Sequence, residues 1–382
     1  MLADPFNAIV EEIDVPPTGE GPLSGIDIAV KDGIDIAGYV TGFGTQAFDR
    51  PAEADSVAVA RMRAAGARII ARTTSPEFAA WPFTSSKHGG VTRNPHNADL
   101  TCGGSSGGSA VAVASGIVPL ALGADGGGSI RIPAAHCGVY GIKPAAGSVP
   151  DQVWGRLGQV GPLANSLDLA LSAWEVLTGQ RVPEWNGPVT VAWLTLPHAS
   201  GVTVHTDILE ATHRAAEILK ATRLTDRMPN PTAAFIPQFF DSIYHDAQGA
   251  PHPEKLERRS REIIAIGKRQ PKKLLDWAHR QNEVLRAQVE PLFRDYDVLL
   301  TPTVAERPRR ADFLNHKPLV AAQYAAVPSV CYTCLWNLTG HLAMTVPFGK
   351  GEDGLPIGLQ LIGNNIGAMA AVARQLDGSH LK

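Results

Sequence analysis

The chain has 382 residues, with 34 lysines and arginines against 37 aspartates and glutamates, which gives a net charge of −3. A chain of this length can bury a sizeable core without disulfides or structural metals. The balanced charge predicts no nucleic-acid partner, because the sequence carries no extended basic block. The N-terminus is acidic where a secretory signal would be basic, and no apolar run approaches the roughly 18 residues that a membrane span needs. We therefore expect a cytoplasmic protein with no membrane partner.

The four cysteines, Cys102, Cys137, Cys331 and Cys334, are too few for a disulfide framework in so long a chain. Cys331 and Cys334 form a C-x-x-C pair, but a structural zinc site would need a second pair, which the sequence lacks. We expect reduced thiols that mostly serve packing.

Strand and helix patterns alternate along the chain and predict an α/β fold with a largely parallel sheet. The predicted strands lie within residues 25–38, 67–73, 118–123, 188–195, 297–303, 342–349 and 356–363. The predicted helices lie at residues 56–65, 109–115, 166–179, 208–219, 274–289 and 366–377. Residues 228–253 are rich in Pro, Asn, Asp and His, which predicts a surface excursion without regular structure. No repeat or linker is present, so we expect a single domain over residues 1–382.

Two stretches pack glycines around serine: GGSSGGS over residues 103–109 and GGGS over residues 126–129. Glycine loses more conformational entropy on folding than other residues and adds no side-chain packing. Its repeated use here indicates that exposed backbone N–H groups have a function in these loops. The first loop enters a short helix, and the second follows a predicted strand, where the sites of α/β sheets collect. Glycines before Ser129 allow N–H groups to converge near its hydroxyl, as an oxyanion hole requires. The alternative is that Ser105 or Ser106 simply caps the helix.

A nucleophilic serine needs a base, and none of the 12 histidines stands in a convincing triad context. Lys31 offers another route, because it follows Ala29 and Val30 in a predicted buried strand. Burial disfavours the charged amine, and a lysine whose pKa falls to about 7 to 8 can act as a base. The alternative is a lysine that extends its ammonium to solvent from a strand end.

Together these residues resemble the amidase signature family, whose hallmark is a glycine- and serine-rich stretch with a Ser-Ser-Lys triad. The matching motifs follow the family's order over almost the whole chain: GIDIAVKDGIDIAG, GVTRNPHN, GGSSGGSAVAVASG, GADGGGSIRIPAAHCGVYGIKP, GPLANSLDLA, DVLLTPT, NLTGHLAMTVP and GLPIGLQLIG. The resemblance implies one α/β domain with a large, mixed, twisted central sheet covered by helices on both faces.

Position by position, the resemblance implies that Lys31 is the base, Ser105 the bridging serine and Ser129 the nucleophile. It also implies an oxyanion hole and supporting residues: the backbone N–H groups of Gly126, Gly127, Gly128 and Ser129, with Ser106, Asp125 and Arg131 around them. The implied reaction is hydrolysis of a small-molecule carboxamide to an acid plus ammonia or an amine through a serine acyl-enzyme. Esters and carbamates are further candidate substrates, no cofactor and no metal is needed, and the protein is expected to be a monomer or a homodimer.

The sequence also offers candidates for the wall of the acyl pocket. The candidates are aromatic or polar residues near the two loops and the last strands: Trp81, Phe83, Thr84, Trp154, Tyr324 and Trp336. His136, Ala145 and His341 stand where the family more often has an aromatic residue, a threonine and a proline, so we expect them to reshape the pocket wall.

Three other functions compete with a free-standing amidase. The first is the glutaminase subunit of a tRNA-dependent amidotransferase, which shares these loops but works with partner subunits. The second is a small-molecule kinase with a glycine-rich phosphate loop, although the sequence lacks the P-loop pattern and this reading gives Lys31 no task. The third is a binding or scaffold subunit without catalysis, which the intact triad positions disfavour.

Overall fold

An eleven-stranded sheet runs through the computed structural model, which describes residues 2–151, 153–155 and 157–378. The strands are β1 Ile9–Val15, β2 Asp27–Lys31, β3 Arg68–Thr73, β4 Ser85–Ser86, β5 Gly90–Val91, β6 Arg93–Asn94, β7 Asn97–Thr101, β8 Leu120–Asp125, β9 Tyr140–Lys143, β10 Gln159–Ala164, β11 Val191–Trp193, β12 Thr222–Arg223, β13 Val298–Pro302, β14 Leu342–Lys350 and β15 Pro356–Gly363. The helices are α1 Val57–Ala64, α2 Gly107–Ala114, α3 Arg131–Cys137, α4 Leu167–Thr178, α5 Thr206–Ile218, α6 Thr232–Asp246, α7 Arg258–Arg269, α8 Lys272–Val289, α9 Leu292–Asp295, α10 Leu319–Val330, α11 Cys334–Leu338 and α12 Ile366–Asp377.

The central sheet is mixed, with the strand order β1-β3-β2-β8-β10-β9-β14-β15-β13-β11-β12. The run from β8 through β10, β9, β14 and β15 to β13 is antiparallel at every step, while β2 lies parallel to both β3 and β8. The prediction of a largely parallel sheet is therefore wrong. A short connection such as residues 351–355 between β14 and β15 can join only antiparallel strands, because a parallel crossover needs a dozen residues or more. The mixed α/β sheet implied by the family resemblance is confirmed.

The alternation of side chains along β2 and β8 sends neighbouring residues to opposite faces of the sheet. Ile28 and Val30 of β2 join one buried apolar cluster together with residues of α1, α4, α5 and α12. Ala29 joins a second cluster together with residues of α2 and α3. Lys31 has the same parity as Ala29, so its side chain leaves the sheet on the face that α2 covers.

The predicted helix over residues 166–179 shows why the local signals were reliable there. Ser166 accepts a hydrogen bond on Oγ from the N–H of Leu169 at 3.4 Å, and Gly179 ends α4 with φ at 71°. Both features are standard helix boundaries, a serine at the N-cap and a left-handed glycine after the last turn. The other predicted helices and strands are likewise present.

The segment from Met228 to Pro253 is an exception, because it contains α6 rather than a surface excursion. The helix includes Pro237, a residue that usually interrupts helices, yet Phe239 and Ile243 are buried on its inner face. α6 packs against α7 and α8, and this tertiary packing outweighs the local preference for turns. Among the described residues, none of the helices combines the length and apolarity that crossing a membrane requires.

The start of α2 lies so close to the end of β3 that only glycine fits at position 108. A Cβ atom on Gly108 would lie 2.5 Å from the backbone nitrogen of Thr74 and 2.7 Å from the carbonyl oxygen of Ala8. Part of the glycine content of the first loop therefore serves close packing of the helix on the sheet, a role that the sequence pattern alone did not reveal.

We expect Gly108→Ala to destabilise the protein by about 1 to 3 kcal/mol, because the new methyl group meets backbone atoms that cannot yield. Helix propensity alone would give the opposite sign, since alanine in a helix interior is favoured over glycine by about 0.5 to 1 kcal/mol. Urea unfolding measures the difference. The control is Gly378→Ala, whose added Cβ would meet only the Arg374 carbonyl oxygen at 3.5 Å and whose φ is −63°. Equal stability of both variants would contradict the packing argument.

Candidate active site

Lys31 ends β2 inside the protein, with its amine against the serines of the first glycine loop. Its Nζ donates to Ser105 Oγ at 2.6 Å and to Ser106 Oγ at 3.1 Å. The lysine is 2% exposed, and both serines are fully buried. The alternative that Lys31 extends its ammonium to solvent is therefore wrong.

Burial lowers the pKa of Lys31 to about 7, and the charges of Asp125 and Asp32 oppose this shift only in part. The Asp32 carboxylate also has other partners. It forms an ion pair with Arg72 and accepts the N–H groups of Gly42 and Gly44. At neutral pH a large fraction of Lys31 is thus a neutral amine in contact with a hydroxyl.

Ser106 ties the two glycine loops to each other and to the end of β8. Its backbone N–H donates to the carbonyl oxygen of Ser129 at 3.0 Å. Its hydroxyl donates to the carbonyl oxygen of Ala124 at 3.1 Å and accepts from the N–H of Ala124 at 3.2 Å. Ser106 stands at the N-cap position of α2 without a side-chain capping bond, so the capping alternative is wrong for this residue.

The second glycine loop leaves some of its backbone N–H groups unengaged. The N–H of Gly128 donates to Asp125 Oδ1 at 2.7 Å, so it is not available to a ligand, and its place in the predicted oxyanion hole needs correction. The physical reason is the turn itself, which folds back onto the carboxylate that precedes it. The N–H groups of Gly126, Gly127 and Ser129 donate to no residue within the described part of the chain.

A buried ion pair between Asp125 and Arg131 holds this turn in place. Both side chains have zero exposure, and the guanidinium meets the carboxylate twice, through Nη2 at 2.8 Å and Nε at 2.9 Å. Burial alone would raise the pKa of Asp125, but the charge and hydrogen bonds of Arg131 outweigh it and hold that pKa well below its usual range. Arg131 also donates to Gln360 Oε1 at 2.7 Å and to Asn337 Oδ1 at 2.6 Å.

Sequence and structure comparisons agree on the family. The Amidase family model matches residues 8–184 and 186–367. AmiB2 of Mycobacterium tuberculosis, named a putative amidase, is 37% identical over 93% of this chain and 82% of its own. The chain belongs to the amidase family.

Two further proteins that resemble this chain carry names that describe different reactions. The A-type subunit of the glutamyl-tRNA(Gln) amidotransferase of Natronomonas pharaonis is 32% identical over 94% of this chain and 96% of its own. The structure of 6-aminohexanoate cyclic dimer hydrolase complexed with substrate superposes with a TM-score of 0.85 at 25% identity, covering 94% of this chain and 86% of that one. The present protein is accordingly an amide-hydrolysing enzyme.

Two cavities of this amidase meet at Ser129. The smaller, about 230 Å³, is lined by Lys31, Ser105, Gly126 and Ser129 among others. The larger, about 530 Å³, is lined by Gly127 and Ser129 together with mostly apolar residues. Trp154 and Ala79 also line both cavities.

Aromatic side chains cover the glycines of the second loop. A Cβ on Gly126 would lie 2.3 Å from the Trp154 ring, and one on Gly127 would lie 2.9 Å from Phe235. The indole N–H of Trp154 donates to the carbonyl oxygen of Phe78 at 2.8 Å, which fixes the ring over the loop. Any larger residue at either glycine would displace this aromatic cover.

The sequence-predicted pocket residues divide between the cavities and the core. Trp81, Trp154 and Tyr324 line the larger cavity. Phe83, Thr84 and Trp336 line neither cavity and are buried, with exposures of 3%, 2% and 0%. The prediction is wrong for these three, because a side chain near a glycine loop packs as readily into the core as into a pocket.

His136, Ala145 and His341 do not form the pocket wall either. None of them lines the two cavities that meet at Ser129. Burial lowers the pKa of His136 to about 3 and that of His341 to about 3, so both are neutral imidazoles. His341 instead contacts the Thr339 hydroxyl at 2.8 Å, and its ring packs at a tilt against Phe293.

Sequence reasoning missed Lys143, a second buried lysine beside the site. It ends β9 with zero exposure, and burial together with the charge of Arg131 lowers its pKa to about 7. Its Nζ donates to the carbonyl oxygen of Pro144 at 2.9 Å. The sequence pattern that marks Lys31, a lysine at the end of an apolar strand, is also present at Lys143, which follows Val139, Tyr140 and Ile142. This pattern cannot tell which of the two lysines reaches the serines.

The cysteines are buried free thiols, as predicted. Cys331 and Cys334 line the larger cavity. Over residues 2–151, 153–155 and 157–378, the structure brings together no group of three or more His, Cys, Asp or Glu side chains that could hold a metal ion.

We expect Arg131→Met to lower the free energy of unfolding by about 3 to 5 kcal/mol, because it strands the buried Asp125 carboxylate without its cation. Arg374→Met is the matched control, since it breaks an ion pair with Asp168 whose side chains are 58% and 85% exposed. That exposed pair should contribute at most about 1 kcal/mol. Guanidinium unfolding of the two variants makes the comparison, and similar small losses in both would contradict a central role for Arg131.

Proposed function

We propose that this amidase cleaves a carboxamide through a Ser-Ser-Lys triad, with Ser129 as nucleophile, Ser105 as proton bridge and Lys31 as base. One observation carries the proposal: the amine of buried Lys31 lies 2.6 Å from Ser105 Oγ, and both line the cavity that Ser129 enters. A serine hydroxyl is a weak nucleophile at neutral pH and requires such a base.

In the first half of the reaction, Ser129 Oγ bonds to the amide carbonyl carbon while its proton passes to Ser105 and the proton of Ser105 passes to Lys31. The carbonyl oxygen gains the negative charge. The N–H groups of Gly126, Gly127 and Ser129 would stabilise that oxyanion, and they are the donors of the loop with no partner in the described chain.

In the second half, the relay runs backward and gives the proton to the amide nitrogen, so that the C–N bond breaks and ammonia or an amine departs. Protonation is essential, because an amide nitrogen leaves poorly as an anion. Water then attacks the acyl-enzyme by the same route and releases the acid. Esters and carbamates, which present the same carbonyl carbon, are expected as further substrates.

The lowered pKa of Lys31 supports its role as base. At a pKa of about 7, the amine is neutral often enough to accept a proton and basic enough to hold it. In the neutral amine the contact with Ser105 can also reverse, with the hydroxyl donating to Nζ. Asp125 and Arg131 hold the second loop in shape and touch no reacting atom in this proposal.

The glutaminase subunit of a tRNA-dependent amidotransferase is a second candidate, favoured by the identity of 32% to the amidotransferase protein of Natronomonas pharaonis. It would use the same three residues but a different acyl group and partner proteins. A free-standing monomer or homodimer without cofactor, in the cytoplasm, stays our prediction.

We expect Ser129→Ala to abolish acyl-enzyme formation, and Lys31→Ala to lower kcat/KM by about 10² to 10⁴-fold, which is typical for loss of a general base. Ser105→Ala should cost less than Ser129→Ala, because water can partly replace a bridging hydroxyl. Ser115→Ala, in the turn after α2, is the serine control and should retain activity. Intact-mass spectrometry after a fluorophosphonate probe gives the readout, and labelling at any residue other than Ser129 would overturn the assignment.

We also expect kcat/KM to rise with pH and to reach half its plateau near pH 7, the pKa of Lys31. Below that pH the amine is protonated and cannot accept the proton, so the acid limb reports the base. Lys31→Met should lose this limb, while Lys143→Met should keep it, although both lysines have a lowered pKa of about 7. A limb that disappears only in Lys143→Met would show that Lys143, and not Lys31, is the base.

A further inference from the structure

The two cavities at Ser129 differ in chemistry as well as in volume. The larger cavity has no aspartate, glutamate, lysine or arginine in its described lining. Its walls are mainly aromatic and aliphatic, including Trp81, Phe235, Phe239, Val327 and Val330. At about 530 Å³ it lies within the range of small-molecule pockets, which are apolar cavities of about 300 to 1,000 Å³.

The mouth of the larger cavity continues the apolar surface out to solvent. Val320 and Tyr324 of α10 line it and are 80% and 83% exposed, and Ile236 of α6 lines it at 43% exposure. These are large apolar side chains held in water, next to a cavity that reaches Ser129. An apolar ligand group that enters from this side would cover these side chains and remove their apolar surface from water, which favours binding.

The proton path fixes which part of an amide enters which cavity. The departing nitrogen must receive its proton through Ser105, and Ser105 and Lys31 line only the smaller of the two cavities. The amine side of the scissile bond therefore faces the smaller cavity, of about 230 Å³. The acyl group lies on the other side of Trp154, in the larger cavity.

We propose that the substrates of this enzyme join a bulky apolar acyl group, aryl or alkyl, to ammonia or a small amine, with the acyl group in the larger cavity and the amine in the smaller one. The assignment rests on the Ser-Ser-Lys mechanism proposed above, because that mechanism sets the direction of the scissile bond. Trp154 is the wall that separates the two parts of the substrate.

This assignment also disfavours glutamine as a substrate. The acyl part of glutamine carries an α-ammonium and an α-carboxylate, and the described lining of the larger cavity offers no charged side chain to either. Moving charged groups out of water without partners is strongly unfavourable. The structure thus favours the free-standing amidase over the glutaminase subunit by the chemistry of its acyl pocket.

A pair of reversed amides tests the direction directly. N-Methyl-3-phenylpropanamide and N-(2-phenylethyl)acetamide have the same atoms, but the bulky group is the acyl part in the first and the amine part in the second. We expect kcat/KM to be at least tenfold higher for the first, since one methylene in an apolar pocket is already worth about tenfold or more. Amine release by the purified full chain gives the rates, with glutamine in the same assay expected at or below the slower amide.

Filling the larger cavity should weaken or remove that preference. Val327→Trp places an indole in the cavity and should lower the ratio of the two rates by tenfold or more. Val284→Trp is the matched control, because Val284 lies on α8, is 45% exposed and lines neither cavity, so the ratio should not change. If Val327→Trp fails to fold, as judged by its thermal unfolding, Val330→Phe makes the same test.

Mass spectrometry of the acylated enzyme separates failure of this inference from failure of the mechanism. The two amides leave different adducts on Ser129, a 3-phenylpropanoyl and an acetyl group. Faster acetyl transfer, equal rates, efficient glutamine hydrolysis or a ratio insensitive to Val327→Trp would overturn the acyl-pocket assignment while Ser129 acylation still stands. Turnover of either amide with no adduct at Ser129, under conditions that trap one, would overturn the triad itself.

Discussion

The candidate site depends on the buried ion pair between Asp125 and Arg131. This pair closes the turn that carries Gly126 to Ser129, because the Asp125 carboxylate accepts the N–H groups of Gly128 and Ile130 while Arg131 satisfies its charge. Arg131 also reaches α11 through Asn337 and β15 through Gln360. A loop of consecutive glycines has little stiffness of its own. The ion pair supplies a fixed geometry from neighbours far apart in sequence.

Two buried groups of the site, Asp125 and Lys31, end with different charges because their bonded partners differ. Asp125 stays ionised because the Arg131 guanidinium donates a hydrogen bond to each of its carboxylate oxygens. The hydrogen bonds of Lys31 within the described chain go to neutral serine hydroxyls, and its pKa falls to about 7. The low-polarity interior disfavours the charged form of both groups, and only Asp125 has a bonded partner of opposite charge that outweighs this effect. The proposed site needs both a neutral amine and a fixed loop. The uncharged partners of Lys31 favour the first, and the Asp125–Arg131 ion pair provides the second.

The glycines of the two loops serve three physical purposes that look identical in sequence. Gly108 allows α2 to lie against the end of β3, and Gly126 and Gly127 leave room for the rings of Trp154 and Phe235. Gly126 and Gly127 also leave their N–H groups open within the described chain, whereas Gly128 folds its N–H back onto Asp125. A glycine-rich motif therefore marks a segment whose backbone lies close to another group. Only the structure shows whether that group is a backbone segment, an aromatic ring or a ligand.

The sequence alone determined most helices and strands, the family resemblance and the residues of the proposed triad, because these depend on local periodicity, caps and short motifs. It placed Lys31 in a buried strand correctly, but Lys143 carries the same local signal, and only the register of the sheet brings Lys31 to Ser105. Tertiary structure also decided the antiparallel run of the sheet, the helix over Thr232–Asp246 and the division of predicted pocket residues between cavity and core. The reason is the same in each case: contacts between residues distant in sequence, such as α6 against α7 and α8, outweigh local preferences that the sequence shows directly.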